Sequence, residues 1–368
     1  MDRRQFVSAA CAITAAGSLS ALSTPAIAQK AIRWQMVSRW PDEFPDQMAS
    51  GRRLAERITQ MSDGRLSVDV VGPRDLGDYR DTFDRVSSGE IAMARSLSYD
   101  WLDRGLAFEM FTVVPLGMTE TERTIWIQDL GGQALWDDLF GAFGVKPFLA
   151  GSLGPQSFGW FAEPIRSLDD LRGLRYRTTG INVPIMRELG VSPVSMPRTE
   201  IGPRFKAGEL DAFELVGPAV DLAYDLHLFL PNYLFPSFHQ TAGSIQLIVN
   251  REMYESLPED LQAIVANAAQ AEHVANLTRV HASNIAALQV LKKQHNVMIG
   301  TVPDDVLTRI GEVASDILSA ARAEASSEHR RVFDSFVTAR AQIREWIELS
   351  EGNFMRSRAL PFSYPSAG

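Results

Sequence analysis

Two arginines lie two residues apart in the short segment Leu174 to Arg177, which reads as a β-strand. Side chains two residues apart on a strand point to the same face, so Arg175 and Arg177 share one side. A guanidinium offers parallel N–H donors that match a carboxylate, and a partly buried guanidinium binds an organic acid well. The spacing alone leaves two uses open: a binding site for a small acid, or a surface salt bridge, the usual role of an arginine.

Residue patterns for bond-breaking chemistry are absent from the sequence. The six histidines form no His-x-x-x-His pair and no Glu-x-x-His pair, the helical spacings typical of metal sites. Gly-x-Ser-x-Gly and the glycine-rich loops that bind nucleotides do not occur either. His239 is therefore interpreted as a pocket-lining or hydrogen-bonding residue rather than as a catalytic base or zinc ligand.

The first 28 residues have the layout of an export signal. Arg3-Arg4 precede an apolar run from Val7 to Leu22, and the small-x-small cleavage pattern Ala26-Ile27-Ala28 follows. The run contains Ser and Gly and is shorter than the ~20 apolar residues that a membrane span needs. We expect a twin-arginine signal peptide over residues 1–28 and a mature protein in a bacterial periplasm.

The composition indicates two α/β domains without cysteine chemistry. Residues 29–368 are long enough for two domains of ordinary size. The only cysteine, Cys11, lies in the signal, which leaves the mature chain without a disulfide, thiolate or iron–sulfur site. The precursor carries a net charge of −9, of which residues 1–28 contribute +1, so the mature chain carries −10. This acidic balance argues against nucleic acid as a partner.

Hydrophobic periodicity predicts alternating strands and helices, the pattern of an α/β protein. Predicted strands cover 30–37, 65–71, 145–149, 174–177, 212–216, 244–250 and 298–302. Predicted helices cover 44–61, 81–93 with an end near Ser88-Gly89, two stretches within 119–143, 183–189, 200–207 and 258–294. The opening strand, helix and strand are typical of a parallel α/β layer.

The composition of two segments of the chain indicates where the two domains begin and end. The segment 151–159 is rich in Gly, Pro and Ser and reads as a crossing between domains, while the strand 244–250 reads as the return. The sequence thus assigns 29–150 together with 242–300 to domain I, and 151–241 to domain II.

A single long helix is predicted from Asp304 to Leu349. Its last part places apolar residues at steps of four, three, four and three, a narrow seam of the coiled-coil kind. The seam consists of Val332, Phe336, Ala339, Ile343 and Trp346. It fits packing on the chain's own body or on a second subunit, and the length of the helix with the apolar tail behind it favours a second subunit. We therefore expect 301–368 to form a dimerisation element of a homodimer.

The order and spacing of several motifs resemble a known family. Gly173-Leu174-Arg175-Tyr176-Arg177-Thr178-Thr179-Gly180 is followed by Glu200 and by Gly208-Glu209-Leu210-Asp211-Ala212-Phe213-Glu214. With Gly64-Arg65-Leu66 and Pro115-Leu116-Gly117, the pattern resembles the solute-binding subunit of tripartite ATP-independent periplasmic (TRAP) transporters over essentially the whole mature chain. The resemblance implies a two-domain periplasmic binding protein with a ligand cleft at the hinge, a membrane permease as partner, and no enzymatic activity.

Within that family the chain looks most like the branch that binds 2-oxo and 2-hydroxy monocarboxylates through a metal ion. The features are Gln156 shortly before Gly159-Trp160-Phe161, Glu214, and the C-terminal helix, which in this branch swaps between the subunits of a dimer. The resemblance makes Arg177 the carboxylate clamp. It makes Glu214, Gln156 and the carbonyl of Leu215 ligands of the metal.

The chain departs from that branch at two positions. Leu215 stands where the family usually has an aromatic residue, which changes the pocket wall but keeps the backbone carbonyl as a donor. Gln240 stands where close relatives carry a glutamate, so with Gln240 as a metal ligand the site holds one protein carboxylate instead of two. One carboxylate plus the charge of the ligand suits Na⁺ and leaves Ca²⁺ open.

Other residues are candidates for the pocket wall. Asn182 follows the arginine motif and can donate a hydrogen bond to the ligand, and Tyr99 can cap the ligand from domain I. Aromatic walls are expected from Phe158 together with Phe44, Trp101 and Trp160, although a core position is as compatible with each of these rings.

Two other functions stay open at this point. One is a periplasmic metal-dependent lyase or isomerase on the same scaffold, because a fold does not by itself specify a function. The absence of a placed general base argues against this enzyme. The other is a sensor receptor that binds the same acid and signals to a kinase.

Overall fold

The computed structural model describes residues 31–73, 81–239 and 243–365. The predicted signal peptide 1–28 and Gln240 lie outside these residues. The described chain forms two separate mixed sheets surrounded by helices, which confirms the predicted α/β class. No helix within the described ranges is long and apolar enough to cross a membrane.

Strands and helices alternate along most of the described chain. The strands are β1 (Ile32–Ser38), β2 (Leu66–Val71), β3 (Met93–Ser96), β4 (Val145–Ser152), β5 (Gly159–Phe161), β6 (Arg175–Arg177), β7 (Ser192–Val194), β8 (Ala212–Phe213), β9 (Asn232–Phe235), β10 (Ser244–Asn250) and β11 (Met298–Thr301). The helices are α1 (Gln47–Met61), α2 (Thr82–Ser87), α3 (Glu120–Asp129), α4 (Gly132–Gly141), α5 (Asn182–Glu188), α6 (Ile201–Lys206), α7 (Pro218–Ala223), α8 (Arg251–Glu255), α9 (Glu259–Gln294), α10 (Asp304–Glu324), α11 (Ser327–Ile347) and α12 (Asn353–Arg358). Two 3₁₀ segments, Ser98–Arg104 and Leu106–Phe111, connect β3 to α3.

The first sheet forms domain I in the strand order β2-β1-β3-β10-β4. β1 pairs in parallel with β2 and β3, as the opening strand–helix–strand pattern predicts, and β10 returns antiparallel between β3 and β4. In β1, Trp34 and Met36 are buried while Gln35 between them is exposed, which produces the alternation visible in the sequence.

The helix predicted over 81–93 ends where the sequence places its end, near Ser88-Gly89. α2 ends at Ser87, and the chain then turns at Gly89, whose φ is +80°. Residues 90–93 of the predicted range are not helical. Met93 begins β3, in which all four residues are buried. A strand buried on both faces shows no alternation, so hydrophobic periodicity does not separate it from the end of a helix.

The second sheet forms domain II in the strand order β11-β9-β5-β8-β6-β7. β6 lies between β7 and β8 and is parallel to both, which places Arg177 opposite Phe213 at the end of β8. β11 pairs in parallel with β9, with Met298 opposite Asn232. The predicted assignment of 242–300 to domain I is therefore wrong for β11, because this strand joins the sheet of domain II after α9.

Two of the chain crossings between the domains, the one after β4 and the one before β10, leave domain I side by side. Ser152 at the end of β4 is the register partner of Ser244 at the start of β10. Both hydroxyls donate to one buried carboxylate, since Ser152 Oγ lies 2.6 Å from Glu120 Oε2 and Ser244 Oγ lies 2.6 Å from Glu120 Oε1. Glu120 on α3 thus holds these two connections at a single point.

The C-terminal region consists of two main helices instead of one. Ala325 and Ser326 have extended backbones between α10 and α11, and the Ser326 side chain accepts a hydrogen bond from the His329 amide at 3.2 Å. A serine at this position ends one helix and caps the next. The prediction of one continuous helix over Asp304 to Leu349 is therefore wrong.

The apolar seam of α11 packs on the chain's own domain I. Phe336 lies edge-on to Trp126 with ring centroids 5.3 Å apart. The buried members of the seam are Val332, Phe336, Ala339 and Ile343. Only Trp346 is exposed, at 65%. The expectation that the whole seam faces a second subunit is wrong, because four of its five residues already belong to the core of this chain.

Candidate functional site

A polar cavity of about 740 Å³ lies between the two domains. Domain I contributes Arg39, Trp40 and Tyr99, while domain II contributes Arg177 and Glu214. Its volume is within the ~300–1,000 Å³ typical of ligand pockets. The cavity therefore brings together the charged residues that the sequence selected and additional groups from domain I.

Arg177 holds a fixed position at the carboxyl end of β6. Its side chain is 6% exposed. The Nε and Nη2 atoms donate to the Met196 carbonyl at 3.3 and 3.2 Å, and Nη1 donates to the Glu214 carbonyl at 2.7 Å. Two backbone carbonyls thus fix the guanidinium plane, and the Nε edge of the fork is already occupied.

Arg175, on the same strand, has a different role. It forms an ion pair with Asp211 through Nε at 2.8 Å and Nη2 at 2.5 Å, and its side chain is 44% exposed. Arg175 does not line the cavity. The structure thus separates the two uses that the sequence leaves open, since one arginine lines the cleft and the other forms a surface salt bridge.

Glu214 is a buried carboxylate beside Arg177. Its Oε1 accepts from Arg177 Nη1 at 3.2 Å, and its Oε2 lies 3.5 Å from His239 Nε2. Burial disfavours the ionised form of Glu214, but the neighbouring Arg177 and His239 outweigh burial and lower the pKa of this carboxyl. Glu214 is therefore available as an anionic ligand in the cleft.

His239 and Gln156 stand at the crossings between the domains. His239 is 2% exposed, and its Nδ1 lies 2.9 Å from Ser237 Oγ. The Gln156 carbonyl accepts from the Ser237 amide at 3.2 Å. Both residues line the cavity next to Glu214. His239 thus takes the pocket-lining and hydrogen-bonding position that the sequence predicts.

The donor set in the cleft fits a hard cation. Glu214, Gln156 and Leu215 all line the cavity and offer a carboxylate, an amide oxygen and a backbone carbonyl. A carboxylate has about four lone-pair sites, so the contacts of Glu214 with Arg177 and His239 leave room for a metal bond. Over the described ranges, no group of three His, Cys, Asp or Glu side chains is arranged as a metal site. The set therefore suits Na⁺ or Ca²⁺ better than zinc. Gln240, the fourth predicted ligand, lies outside the described residues.

Asp221 supports the segment that carries these ligands and was missed by the sequence analysis. It is fully buried; its Oδ1 accepts from the Val216 amide at 3.2 Å, and its Oδ2 accepts from Trp160 Nε1 at 2.9 Å and Tyr233 Oη at 2.7 Å. These bonds fix the turn after Glu214. In the sequence, Asp221 stands in the first turn of α7 behind Pro218 and looks like an ordinary helix-start acid.

Two of the remaining predicted residues, Tyr99 and Asn182, lie where the two domains meet. Tyr99 lines the cleft, where the Arg39 guanidinium covers its ring at 5.2 Å, and burial raises the pKa of Tyr99 to about 12. Asn182 lines a smaller adjoining cavity that also borders on Tyr99. Both therefore lie at the interface of the two domains.

Of the predicted aromatic walls, only Phe44 lines the cleft. Phe158 is fully buried in the domain II core, stacked on Phe161 with centroids 5.6 Å apart. Trp101 and Trp160 are buried in other core clusters. The prediction that Phe158 lines the ligand pocket is wrong. Its ring points into the core between sheet and helices, and its carbonyl accepts a hydrogen bond from the Tyr176 hydroxyl.

Two cleft arginines were missed by the sequence analysis. Arg39 pairs with Asp100 through Nε at 2.7 Å and Nη2 at 2.9 Å. Arg198 donates to the Tyr224 hydroxyl at 2.9 Å and lies 5.6 Å from the Phe44 ring. Arg39 had a signal in the sequence: it directly follows β1, and ligands of open α/β sheets bind at the carboxyl ends of the strands.

Two α/β domains around a polar cleft, with a buried guanidinium and a buried carboxylate inside it, define a solute-binding protein. The family model described as DctP, bacterial extracellular solute-binding protein, family 7, matches residues 36–323. The chain belongs to this family, the periplasmic solute-binding proteins of TRAP transporters. Members of the family bind solutes for transport and are not enzymes.

Similar proteins cover nearly the whole chain. The monocarboxylate 2-oxoacid-binding periplasmic protein of Nostoc sp. strain PCC 7120 is 27% identical over 365 residues, which are 97% of this chain and 100% of the relative. A TRAP solute-binding protein of Pseudoalteromonas atlantica, solved with bound sodium and pyruvate, is 30% identical with a TM-score of 0.82, over 89% of this chain and 99% of the other. One from Colwellia psychrerythraea, solved with calcium and pyruvate, is 29% identical with a TM-score of 0.82, over 89% and 100%.

Proposed function

We propose that this TRAP receptor captures a small 2-oxo or 2-hydroxy monocarboxylate together with Na⁺ or Ca²⁺ and delivers it to the membrane permease. The observation that carries the proposal is the pair of Arg177 and Glu214, 3.2 Å apart and buried in the cleft between the domains. The Arg177 guanidinium complements an organic anion, and the Glu214 carboxylate complements a cation. The 2-oxoacid of the Nostoc relative and the pyruvate of two similar structures support the same ligand class.

The acid binds at the terminal edge of Arg177, formed by Nη1 and Nη2. The Nε edge is unsuitable because Nε and Nη2 already donate to the Met196 carbonyl. The Nη1 contact with Glu214 Oε1 is longer, at 3.2 Å, than the Nη1 contact with the Glu214 carbonyl, at 2.7 Å. A ligand carboxylate replaces the longer contact, which also releases Glu214 Oε1 for a cation.

Glu214, Gln156 and the Leu215 carbonyl would hold the cation, with Gln240 as the fourth protein ligand. When bound, it would neutralise Glu214 and attract a carboxylate oxygen and the 2-oxo or 2-hydroxy oxygen of the acid. Tyr99 and Asn182 close over the ligand from the two domains. Acids without the second oxygen should therefore bind more weakly.

Titration calorimetry with a panel of acids tests the ligand class. Pyruvate, 2-oxobutyrate and lactate should bind, propionate should bind more weakly because it lacks the second oxygen, and succinate should not compete. Each titration is repeated after exhaustive chelation and dialysis into cation-free buffer, with Na⁺ or Ca²⁺ added back. Tighter binding of succinate or a sugar acid than of pyruvate contradicts the ligand class. An affinity for the acid that neither Na⁺ nor Ca²⁺ changes contradicts the proposal that a cation takes part in binding.

We propose, further, that residues 1–28 form a twin-arginine signal. The support is the pattern Arg3-Arg4 before the apolar run from Val7 to Leu22. Replacing both arginines by lysine should retain the protein in the cytoplasm of a host with the twin-arginine pathway. Periplasmic recovery of the double variant at the level of the parent contradicts this signal type.

The C-terminal tail is proposed to join two copies of the chain. The tail beyond α11 leaves large apolar side chains exposed, among them Leu349 at 66%, Phe354 at 63% and Phe362 at 58%. An apolar groove of about 740 Å³ lies between α10 and α11 and is lined by Leu318 and Phe333. Contiguous exposed apolar area marks interaction sites. If the tail of a second copy binds in this groove, the apolar side chains of the tail and the apolar lining of the groove are both covered.

Light scattering on a variant that ends at Ile347 tests the dimer. The truncated protein should be a monomer, whereas the full mature chain should be a dimer. Leu228→Ala is the matched control because Leu228 is 68% exposed but lies far from the tail in the sequence. A truncated protein that remains dimeric contradicts the role of the tail.

A further inference from the structure

A second, much smaller cavity adjoins the ligand cleft. It has a volume of about 20 Å³ and is lined by Glu109 and Val113 from domain I and by Ile181 and Asn182 from domain II. Tyr99 and Thr179 line both cavities. A volume of ~10–15 Å³ suffices for one water molecule. The small cavity is thus a water-sized space across which the two domains face each other.

Two side chains at this space, Glu109 and Asn182, have acceptor oxygens without donors. Glu109 is 1% exposed and Asn182 is 5% exposed. Within the described part of the chain, neither carboxyl oxygen of Glu109 and not the Oδ1 of Asn182 has a hydrogen-bond partner. A buried carboxylate without a partner costs several kcal/mol, roughly, so such a group binds a proton instead. A protonated Glu109 supplies the missing donor.

Among the described residues, no cation compensates Glu109 from the surrounding elements. The segment Ser98–Arg104 brings Tyr99 and Asp100, and the Asp100 carboxylate is already paired with Arg39. The 3₁₀ segment of Glu109 and the stretch 178–182 contain no other titratable side chain. On α11, His329 contacts the same 3₁₀ segment at Phe108, with ring centroids 6.3 Å apart. Burial, with Asp100 adding to it, raises the pKa of Glu109 to about 8.

We propose that closure of the cleft takes up one proton on Glu109, which then hydrogen-bonds through the water-sized cavity to Asn182 of the opposite domain. The proposal rests on the proposed function, in which the ligand closes the domains. In the open form, the stretch Thr179 to Asn182 moves away from domain I. Glu109 is then exposed to bulk water, so its carboxyl ionises like that of an ordinary glutamate. Ligand capture is then coupled to protonation.

The direction of the pH dependence follows from linkage. A carboxyl whose pKa rises from 4.5 to about 8 on closure favours the closed form fully at low pH. That advantage is lost as the pH rises between these two values. We expect the affinity for pyruvate to fall about tenfold for each pH unit between roughly 5.5 and 7.5.

Calorimetry in buffers of different ionisation enthalpy counts the protons directly. Pyruvate is titrated at about pH 6.5, midway between the two pKa values, with saturating cation, into wild type, Glu109→Gln and Glu90→Gln. Wild type should take up close to one proton. Glu109→Gln should bind pyruvate without this uptake and with a pH-independent affinity, because its amide supplies the donor permanently. Glu90→Gln is the matched control, since Glu90 is an exposed domain I glutamate paired with Arg85, and should behave as wild type.

The outcomes separate this proposal from the proposed function. Equal binding heats in all buffers for wild type overturn the proton uptake and leave the ligand class intact. Uptake that survives in Glu109→Gln assigns the proton to another group and also overturns the proposal. If none of the acids gives heat, the ligand class fails. In that case, carbon-13 NMR on protein with labelled glutamate follows the ionisation of the Glu109 carboxyl. Its signal is identified as the one missing from Glu109→Gln. A Glu109 carboxyl that is ionised at about pH 6.5 in the closed protein overturns the proton uptake.

Discussion

Replacing Arg177 by alanine should abolish most of the affinity for the acid. The terminal edge of the guanidinium offers two N–H donors to a ligand carboxylate, and a hydrogen bond to a charged group contributes about 1.5–3 kcal/mol. The guanidinium is 6% exposed, so solvent screens these bonds little. The loss is then about 3 kcal/mol or more, which corresponds to about a 100-fold increase in Kd or more.

The substitution also disturbs the apo protein, and the assay must separate the two effects. Arg177 satisfies the carbonyls of Met196 and Glu214 and neutralises the Glu214 carboxylate. Removing one partner of a buried pair costs about 3–5 kcal/mol of unfolding free energy. Calorimetry at a temperature well below the midpoint of thermal unfolding, with circular dichroism of each sample, measures the Kd of the folded fraction only.

Two comparison variants complete this experiment. Arg177→Lys keeps the charge but loses the planar fork, so its affinity should lie between those of the parent and Arg177→Ala. Arg175→Ala removes the neighbouring arginine of the same strand, whose partner is Asp211 on the surface, and should leave the Kd unchanged. A Kd for Arg177→Ala within a few-fold of the parent refutes the clamp.

Three further predictions concern the cation, its support and the core. Glu214→Gln should remove the effect of Na⁺ or Ca²⁺ on pyruvate affinity in calorimetry; an unchanged cation effect contradicts its role as ligand. Asp221→Asn turns one acceptor into a donor, so the cation affinity should fall about 10–100-fold and the unfolding free energy by about 1–3 kcal/mol in denaturant titration. Normal cation affinity contradicts the supporting role. Phe336→Ala should destabilise the monomeric protein by about 3–5 kcal/mol, because Phe336 packs on Trp126 within one chain; a loss seen only in the dimer contradicts that packing.

Local patterns in the sequence predicted much of domain I and less of the long-range pairing. Residues 33–36 of β1 and 66–69 of β2 alternate between buried and more accessible positions, so their periodicity is visible. β3 is buried on both faces and shows none. β11 was recognised as a strand, but its partner β9 lies more than sixty residues earlier, beyond α9. Which sheet a strand joins depends on packing between distant segments, and local periodicity does not report it.

The site was predicted as far as single residues carry recognisable chemistry. Arg177, Glu214, Gln156 and Leu215 line one cavity, as the family resemblance implies. The resemblance did not indicate Asp221, whose function depends on the three donors that the fold places around it. The unpartnered carboxyl of Glu109 was equally invisible, because only the fold shows which donors a buried acceptor lacks.

The shared attachment at Glu120 of the crossings after β4 and before β10 has a mechanical consequence. With Ser152 and Ser244 held by one carboxylate, these two crossings are anchored at the same point of domain I. Gln156 follows Ser152 by four residues and His239 precedes Ser244 by five, so both residues lie close to this anchor and move little when the domains open or close. The part of the proposed cation site that Gln156 provides is therefore in position before the cleft closes.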